Sequence, residues 1–303
     1  MPDALVITAA DTVEFATYDA PPLPSGMVRL KTRASCLSPG TERRVFNGVE
    51  PGMPAFPLIP GYAACVEADG KRFVSRGSQT TGPFNRCWGA HQSEHDVDPA
   101  KLIPVPDGVT DAQASFAVLA AIAFHGTFAI DRPGQRVLVI GLGVIGQCSA
   151  RILHAQGHDV TAVDLSPDRV EAASAAGLDA YVGIPAAGEY NAIVDATGAP
   201  DVMRKAISLL RGEPWGQSPP TPPRYVVQGS YPTDIALPYK DVFGAEASIH
   251  FPRDSGPNDV AQVLALIQAG RLKIDDLFET RDPHDAPSIY RNGPDRPTAV
   301  FEW

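Results

Sequence analysis

The sequence predicts an α/β protein that combines a β-rich part with a doubly wound parallel sheet. Strand and helix patterns alternate over residues 136–251, which is typical of a parallel sheet with helices on both faces. Residues 1–106 instead carry short strand patterns separated by turn residues. The strand patterns after residue 276 have no helix-linked partner, so we expect them to pack back against the first part.

The strongest local signal lies in residues 136–164. Arg136–Ile140 is a run of branched apolar residues, typical of a strand buried on both faces. Gly141, Gly143 and Gly146 follow in the G-x-G-x-x-G spacing and open a helical pattern. This order predicts a dinucleotide site, in which the helix N-terminus points free N–H groups at a pyrophosphate. The alternative is a glycine-rich turn without a ligand.

The second strand of this unit ends at Asp164, roughly 20 residues after the first glycine. A carboxylate there accepts hydrogen bonds from ribose hydroxyls and repels a 2′-phosphate, so it favours NAD over NADP. Arg169 is either a second cofactor contact or a solvated helix residue.

The later strand patterns end at Thr197-Gly198 and Gly229-Ser230-Tyr231. Because ligands bind beyond the carboxyl ends of parallel strands, we expect these residues on the same groove, with Tyr231 flanking the nicotinamide. The predicted cofactor-binding residues are Gly141, Leu142, Gly143, Val144, Ile145, Gly146, Asp164, Arg169, Thr197, Gly198, Gly229, Ser230 and Tyr231.

Composition excludes several classes of protein. The chain has 303 residues, a net charge of −10 and no basic cluster, which argues against a nucleic-acid surface. No signal peptide or membrane-spanning run is recognisable, so we expect a cytoplasmic protein with no membrane partner. The four cysteines are scattered and predict neither a disulfide framework nor a structural zinc site. The proline-rich residues 213–223 predict a solvated loop.

Residues 35–62 are dense in glycine and proline and rich in functional side chains. An irregular segment of that length inside a compact domain is usually functional or disordered, and its aromatic content favours a site.

The order of these parts resembles the medium-chain dehydrogenase/reductase superfamily. The supporting motifs are Gly40-Thr41-Glu42 followed by Gly48, Ile59-Pro60-Gly61 before an apolar strand, Leu102–Pro106 and Val194–Gly198. The resemblance covers nearly the whole chain. It implies a GroES-like catalytic domain, which we expect at residues 1–121 and 253–303, and a Rossmann domain at residues 122–252.

Zinc members of that superfamily have a cysteine before the Gly-Thr-acidic triplet and a histidine after the Pro-Gly pair. Pro39 and Tyr62 occupy these positions, and neither can ligate zinc. The four-cysteine structural lobe is also missing. We therefore expect no metal. The four-residue spacing of His91 and His95 would suit a shared metal ion only if the segment were helical. The nearby glycine and proline disfavour a helix there.

Among zinc-less members, the chain resembles the 3-hydroxyethyl bacteriochlorophyllide a dehydrogenase family. The supporting motifs are Ser38-Pro39-Gly40-Thr41-Glu42, Pro60-Gly61-Tyr62, Gly229-Ser230-Tyr231, Gly270-Arg271-Leu272 and Glu302-Trp303. Ala63 replaces the glutamate usual in that family, and residues 70–95 match poorly. A related cyclic alcohol is an equally compatible substrate.

Without zinc, hydrogen-bond donors or a general acid must polarise the substrate oxygen. The resemblance places Thr41 where zinc enzymes keep a proton-relay hydroxyl, and Tyr62 where their ligand histidine would be. The candidate catalytic residues are Thr41, Tyr62, His125 and Glu42. Tyr62 has an alternative role, which is to fill and shape the site. The alternative for His125 is that it is a core histidine whose hydrogen bonds are satisfied. Glu42 has an alternative structural role, binding backbone N–H groups or Arg43.

The sequence thus predicts a zinc-independent NAD-dependent dehydrogenase acting on a secondary alcohol or ketone of a bulky or cyclic small molecule. The alternatives are a quinone or enoyl reductase using NAD(P)H and a catalytically silent nucleotide-binding protein. A homodimer is expected from the resemblance only.

Overall fold

The computed structural model describes residues 1–214, 216–217, 221–231 and 233–303. The strands are β1 (Asp3–Ala9), β2 (Thr12–Thr17), β3 (Val28–Cys36), β4 (Leu58–Ile59), β5 (Ala64–Ala68), β6 (Lys71–Ser75), β7 (Asn85–Arg86), β8 (Glu94–Val97), β9 (Ile103–Pro104), β10 (Arg136–Ile140), β11 (Asp159–Asp164), β12 (Asp179–Val182), β13 (Ala192–Asp195), β14 (Arg224–Val227), β15 (Ser248–His250), β16 (Phe278–Arg281) and β17 (Thr298–Glu302). The α-helices are α1 (Pro39–Phe46), α2 (Asp111–Thr127), α3 (Val144–Ala155), α4 (Pro167–Ala175), α5 (Val202–Ala206), α6 (Tyr239–Gly244), α7 (Asp259–Gln268) and α8 (Ala286–Asn292).

The chain divides into two compact units. The first unit consists of Met1–Leu119 and Val260–Trp303, and the second of Ala120–Asp259. In the described residues, no helix is both long enough and apolar enough to cross a bilayer.

The second unit contains the predicted parallel sheet. Its six strands lie in the order β12-β11-β10-β13-β14-β15, and every adjacent pair is parallel. Alternate residues of β10 belong to different cores: Val137 and Val139 pack in one apolar cluster, Leu138 and Ile140 in another. Burial on both faces explains why this strand is continuously apolar, and the α/β prediction is confirmed.

The first unit is built from two β-sheets. A seven-stranded sheet follows the order β16-β17-β3-β5-β6-β9, with β8 also paired to β3, and a four-stranded sheet follows β2-β1-β4-β7. Strand β17 is antiparallel to β3, and Val300 faces Cys36. The tail therefore pairs with the N-terminal β region, as predicted.

The prediction of an irregular segment over residues 35–62 is wrong over Pro39–Phe46, which form α1. Proline at the first helical position has a backbone angle suited to a helix and lacks the N–H that would be unsatisfied there. The Glu42 carboxylate accepts the Ser38 N–H at 2.7 Å and satisfies a second donor at this helix start. The loop predicted at residues 213–223 lies partly outside the described residues.

Candidate active site

Three hydroxyl side chains come together in the first unit. Ser38 precedes α1, Thr41 lies in its first turn, and Tyr62 follows Gly61. The Ser38 Oγ lies 2.7 Å from the Tyr62 hydroxyl. Burial, reinforced by the negative charge of Glu42, raises the pKa of Tyr62 to about 12, although hydrogen bonds from Ser38 and Thr41 oppose the rise. Tyr62 is therefore a protonated donor at neutral pH.

The Tyr62 ring has an aromatic neighbour. Trp88 packs edge-on against it, with ring centroids 5.4 Å apart and an interplanar angle of 78°. Trp88 keeps 36% of its surface exposed. A Cβ at Gly77 would lie 2.1 Å from the Trp88 carbonyl oxygen, so only glycine allows this loop to pass so close. The Arg76 guanidinium lies 6.0 Å from the centroid of the Tyr62 ring.

Glu42, the residue after Thr41, is fully buried and accepts hydrogen bonds from three elements. Its Oε1 accepts the Ser38 N–H, and its Oε2 lies 2.8 Å from His91 Nε2 and 2.5 Å from the Tyr290 hydroxyl. Burial, together with the Glu42 carboxylate, raises the pKa of Tyr290. Glu42 accepts a backbone N–H, which is the structural role given as the alternative to catalysis. Its hydrogen bonds also connect α1 to α8 and to the segment before β8.

His91 extends this network toward the end of the chain. Its Nδ1 lies 2.7 Å from the Ser35 hydroxyl, which also accepts the indole N–H of Trp303 at 2.8 Å. A Cβ at Gly61 would lie 2.6 Å from the His91 ring, so the glycine before Tyr62 is required by the packing of this imidazole.

His95 has a separate, buried environment in β8. Its Nε2 donates to the Ala90 carbonyl oxygen at 3.0 Å, and its Nδ1 lies 3.0 Å from the Ser75 hydroxyl. Burial lowers the pKa of His95 to about 4. The residues that the structure describes contain no group of three or more histidine, cysteine, aspartate or glutamate side chains arranged to hold a metal ion.

The glycine loop of the second unit has the geometry that a dinucleotide needs. A Cβ at Gly146 would lie 1.6 Å from the Gly141 carbonyl oxygen, so the first turn of α3 contacts the loop directly. A Cβ at Gly143, in contrast, would meet no protein atom within 4 Å, which leaves space for a ligand. Gly143 is also the N-cap of α3, and no side chain caps this helix. The free N–H groups can therefore bind an anion, and the loop fits a pyrophosphate.

Asp164 ends β11 beside this loop. Its Oδ2 accepts the Leu142 N–H at 2.6 Å, and its Oδ1 accepts the Ser166 N–H at 2.8 Å. An Arg169 guanidinium nitrogen lies 3.5 Å from Oδ2 on a side chain that is 55% exposed. The Oδ1 atom, which has one donor, can accept a further hydrogen bond, as a ribose would require. Val144 and Ile145, the other predicted loop residues, form the start of α3 and are buried and half-buried.

Gly198 and Gly229 bring two strand ends into backbone contact. A Cβ at Gly229 would lie 2.3 Å from the Gly198 nitrogen, and a Cβ at Gly198 would lie 2.6 Å from the Ser230 carbonyl oxygen. These glycines keep the segments after β13 and β14 together at the carboxyl edge of the sheet.

Asp195, at the end of β13, binds side chains and backbone at the same edge of the sheet. The sequence did not predict it as a site residue. Its Oδ1 accepts the Thr197 N–H and hydroxyl at 3.0 and 2.6 Å, and its Oδ2 accepts the Tyr225 hydroxyl at 2.9 Å. The Tyr231 hydroxyl is buried without a hydrogen-bond partner in the described part of the chain. Burial and the nearby Asp195 raise the pKa of Tyr231.

His125 belongs to the second unit, near the end of α2. Its Nδ1 lies 2.8 Å from the Oδ2 of Asp259, whose side chain is 5% exposed, whereas the imidazole is 31% exposed. The ring also contacts Phe128 edge-on, with centroids 5.7 Å apart. His125 is therefore a half-buried histidine with a carboxylate partner.

Thr41, Glu42 and Tyr62 thus lie together in the first unit, and His125 lies in the second. Sequence reasoning missed Ser38 and Asp259 as partners of Tyr62 and His125. Ser38 is the first residue of the motif Ser38-Pro39-Gly40-Thr41-Glu42, and its position directly before Pro39 was the available signal. No local pattern pointed to Asp259.

Comparisons with known proteins agree with this architecture. A family model described as the TrkA-N domain matches residues 137–190. The 2-desacetyl-2-hydroxyethyl bacteriochlorophyllide A dehydrogenase of Cereibacter sphaeroides is 27% identical over 310 residues, covering 93% of this chain and 92% of that protein.

Two solved structures share the fold over the full length of the chain. A protein of Sinorhizobium meliloti that is described as a zinc-binding dehydrogenase, bound to NADP, has a TM-score of 0.83 at 15% identity, covering 100% of this chain and 99% of the other. Acetophenone reductase of Geotrichum candidum in complex with NAD has a TM-score of 0.82 at 20% identity, covering 100% and 97%.

Proposed function

The chain is an oxidoreductase of the medium-chain dehydrogenase/reductase superfamily, and from that premise we propose a zinc-independent, NAD-dependent dehydrogenase. It transfers a hydride between nicotinamide and a secondary alcohol or ketone of a bulky or cyclic substrate. The observation that carries this proposal is the hydroxyl cluster of Ser38, Thr41 and Tyr62. This cluster surrounds position 62, where the resemblance puts a histidine ligand in zinc members.

The second unit supports the cofactor assignment. The loop from Gly141 to Gly146 would hold the pyrophosphate at the start of α3, and Asp164 would hold the adenosine ribose. The remaining proposed contacts are Arg169, Thr197, Gly198, Gly229, Ser230 and Tyr231. When bound, NAD supplies the hydride acceptor or donor. The Asp164 carboxylate disfavours a 2′-phosphate, and Arg169, which lies on the same carboxylate, is partly neutralised by it.

Tyr62 supplies the polarising hydrogen bond. Because its pKa is about 12, the phenol stays protonated and donates to the substrate oxygen. The hydroxyls of Ser38 and Thr41 orient it. Glu42 is buried beneath this cluster and fixes the start of α1, so its role in the reaction is positional.

The exposed Trp88 beside Tyr62 supports a bulky, flat substrate. A ring system that stacks on the indole brings an attached hydroxyl or carbonyl carbon near the Tyr62 hydroxyl. The relative from Cereibacter sphaeroides is named as a dehydrogenase of 2-desacetyl-2-hydroxyethyl bacteriochlorophyllide A. We propose a bacteriochlorophyllide-like compound or another cyclic biosynthetic alcohol as the substrate.

The test is a nicotinamide absorbance assay with NAD⁺ and NADP⁺ against cyclohexanol, 1-phenylethanol and a hydroxyethyl-substituted chlorin. We expect NAD⁺-dependent oxidation that persists after treatment with 1,10-phenanthroline. Tyr62→Phe lowers kcat by about 100-fold, the lower range for a lost proton donor. Tyr239→Phe, on an exposed tyrosine of α6, is the matched control.

A tightly bound zinc ion whose removal abolishes activity would overturn zinc independence. Tighter binding of NADPH than of NADH would overturn the cofactor assignment. Reduction of a C=C bond without alcohol oxidation would favour a quinone or enoyl reductase, and binding of NADH without turnover of any probe would favour a silent nucleotide-binding protein.

A further inference from the structure

We infer that Asp259 is a positioning residue that sets His125 to accept and return the proton of the reaction. The inference rests on the proposed function, because it assigns a second group to the same chemistry. Oxidation of an alcohol releases a proton, so the reaction needs a group that can take up that proton and return it. An imidazole is the side chain whose ordinary pKa suits that task.

The Asp259 carboxylate is fixed from two sides. Asp259 is buried at the start of α7. Its Oδ2 accepts the Gly256 N–H at 2.6 Å and lies 2.8 Å from His125 Nδ1. A Cβ at Gly256 would lie 3.1 Å from the same oxygen, so the turn before α7 packs closely on the carboxylate. The buried carboxylate thus has one orientation, and it faces the imidazole.

His125 is held near the strand ends that carry the proposed cofactor contacts. The Gln228 side chain donates to the carbonyl oxygens of Ile122 and Ala123, both at 2.9 Å. A Cβ at Gly126 would lie 2.2 Å from the same Gln228 amide. Gln228 directly precedes the Gly229-Ser230-Tyr231 segment. The last turns of α2 are therefore fastened at the carboxyl edge of the parallel sheet, where ligands of such sheets bind.

The pairing of Nδ1 with a carboxylate determines which ring nitrogen reacts. A carboxylate accepts the Nδ1–H, so the neutral imidazole presents an unprotonated Nε2. In the described part of the chain this Nε2 makes no hydrogen bond, and the ring is 31% exposed. With NAD⁺ bound as the hydride acceptor, the alcohol O–H bond would break and its proton would move to Nε2, while the C–H bond would break and its electron pair would leave with the hydrogen as hydride. Asp259 stabilises the resulting imidazolium, and ketone reduction runs the same steps backward.

The first test is independent of activity. Protein labelled with ¹⁵N-histidine and free of cofactor shows seven histidine ring systems, and His125→Gln identifies the signals of His125. At pH 8.5 we expect His125 to carry its proton on Nδ1. Asp259→Ala shifts the proton toward Nε2, whereas Asp259→Asn keeps it on Nδ1, because the amide oxygen still accepts.

The second test separates position from charge by kinetics. With NAD⁺ and the most active alcohol of the panel, Asp259→Asn lowers kcat by about 10- to 100-fold, a part of the roughly 10²- to 10⁴-fold that general acid–base catalysis contributes, with KM within about twofold. Asp259→Ala lowers kcat at least as far. Asp241→Ala, on an exposed aspartate in the first turn of α6, is the matched control and leaves both constants unchanged.

Active wild-type protein whose His125 carries its proton on Nε2 would overturn the inference, as would Asp259 variants with wild-type kcat. Either result leaves the proposed function standing. A wild-type protein that oxidises no alcohol would instead overturn the proposed function itself.

Discussion

The Nε2 atom of His91 lies 2.8 Å from Oε2 of Glu42, and both side chains are completely buried. This contact connects α1, which carries Thr41, to the segment that enters β8. Because Glu42 also receives the Ser38 N–H and the Tyr290 hydroxyl, one carboxylate satisfies donors from three parts of the first unit.

We predict that Glu42→Ala destabilises the first unit by about 3 kcal/mol or more, because three buried donors lose their acceptor at about 1–3 kcal/mol each. Urea unfolding followed by circular dichroism measures the loss. Glu67→Ala is the matched control, because Glu67 makes a 3.6 Å pair with Arg33 on partly exposed side chains. Such surface pairs contribute about 0–1 kcal/mol. Equal losses in the two variants would contradict the prediction.

Gly61→Ala is expected to cost more stability than Gly70→Ala. Both glycines have positive φ, 88° and 71°, so each alanine incurs a strain of about 1–2 kcal/mol. At Gly61 the new Cβ also lies 2.6 Å from the His91 ring, whereas at Gly70 it meets no atom within 4 Å. We expect a further loss of about 1–3 kcal/mol at Gly61. Paired urea titrations test this, and indistinguishable midpoints would refute the role of His91.

Gly143→Ala and Gly146→Ala separate ligand binding from folding. Gly143 has φ −71° and open space at its Cβ position, so alanine leaves the free energy of unfolding within about 0.5 kcal/mol of wild type. It weakens NADH binding by about tenfold or more, equivalent to about 1.4 kcal/mol, because the methyl group occupies space next to the pyrophosphate. Gly146→Ala destabilises the protein itself, because its Cβ collides with Gly141.

Isothermal titration with NADH and urea unfolding distinguish these two effects. A Gly143→Ala protein that binds NADH as tightly as wild type would contradict the assignment of the loop to the pyrophosphate.

His95 is expected to make stability depend on pH. Its pKa is about 4 in the folded protein and about 6.5 when unfolded, so the unfolded chain takes up the proton first as pH falls. The contribution of neutral His95 to the free energy of unfolding is complete above pH 6.5 and is lost as the pH falls from 6.5 to 4. The total loss is about 3 kcal/mol, because each unit of pKa difference corresponds to about 1.36 kcal/mol. Urea unfolding at pH 7.5 and 4.5 tests this.

The free energy of unfolding of the wild type should fall between these two pH values by about 2–3 kcal/mol more than that of His95→Gln. His154→Gln, on an exposed histidine at the end of α3, should behave as wild type. A fall of the same size in His95→Gln would show that other groups account for the acid sensitivity.

The parts of the fold that sequence reasoning recovers are those encoded locally. The β10 run, its glycine loop and Asp164 form one continuous pattern, because a strand buried on both faces and a helix start each leave a short-range signature. The partners inside the sites do not. Glu42 and Tyr290 are 248 positions apart, and His125 and Asp259 are 134 apart, so only tertiary packing pairs them.

The α1 helix shows a different limit. Its eight residues include a proline and a glycine, and they lie in a segment whose composition favours loops. The helix forms because Pro39 starts it and the buried Glu42 ties its first turn to distant residues. Local propensity alone would not predict that outcome.

The pairing of β3 with β17 has a consequence for synthesis on the ribosome. The second unit is one continuous segment, Ala120–Asp259, and can fold once it has emerged. The first unit must wait, because β17 reaches β3 only after about 40 more residues are made, a delay of several seconds. Throughout that interval residues 34–36 of β3 keep the unpaired backbone groups that β17 later binds. Such an edge can pair with strands of other chains. A nascent chain stalled after residue 259 therefore leaves residues 34–36 of β3 without their strand partner, which raises its risk of aggregation.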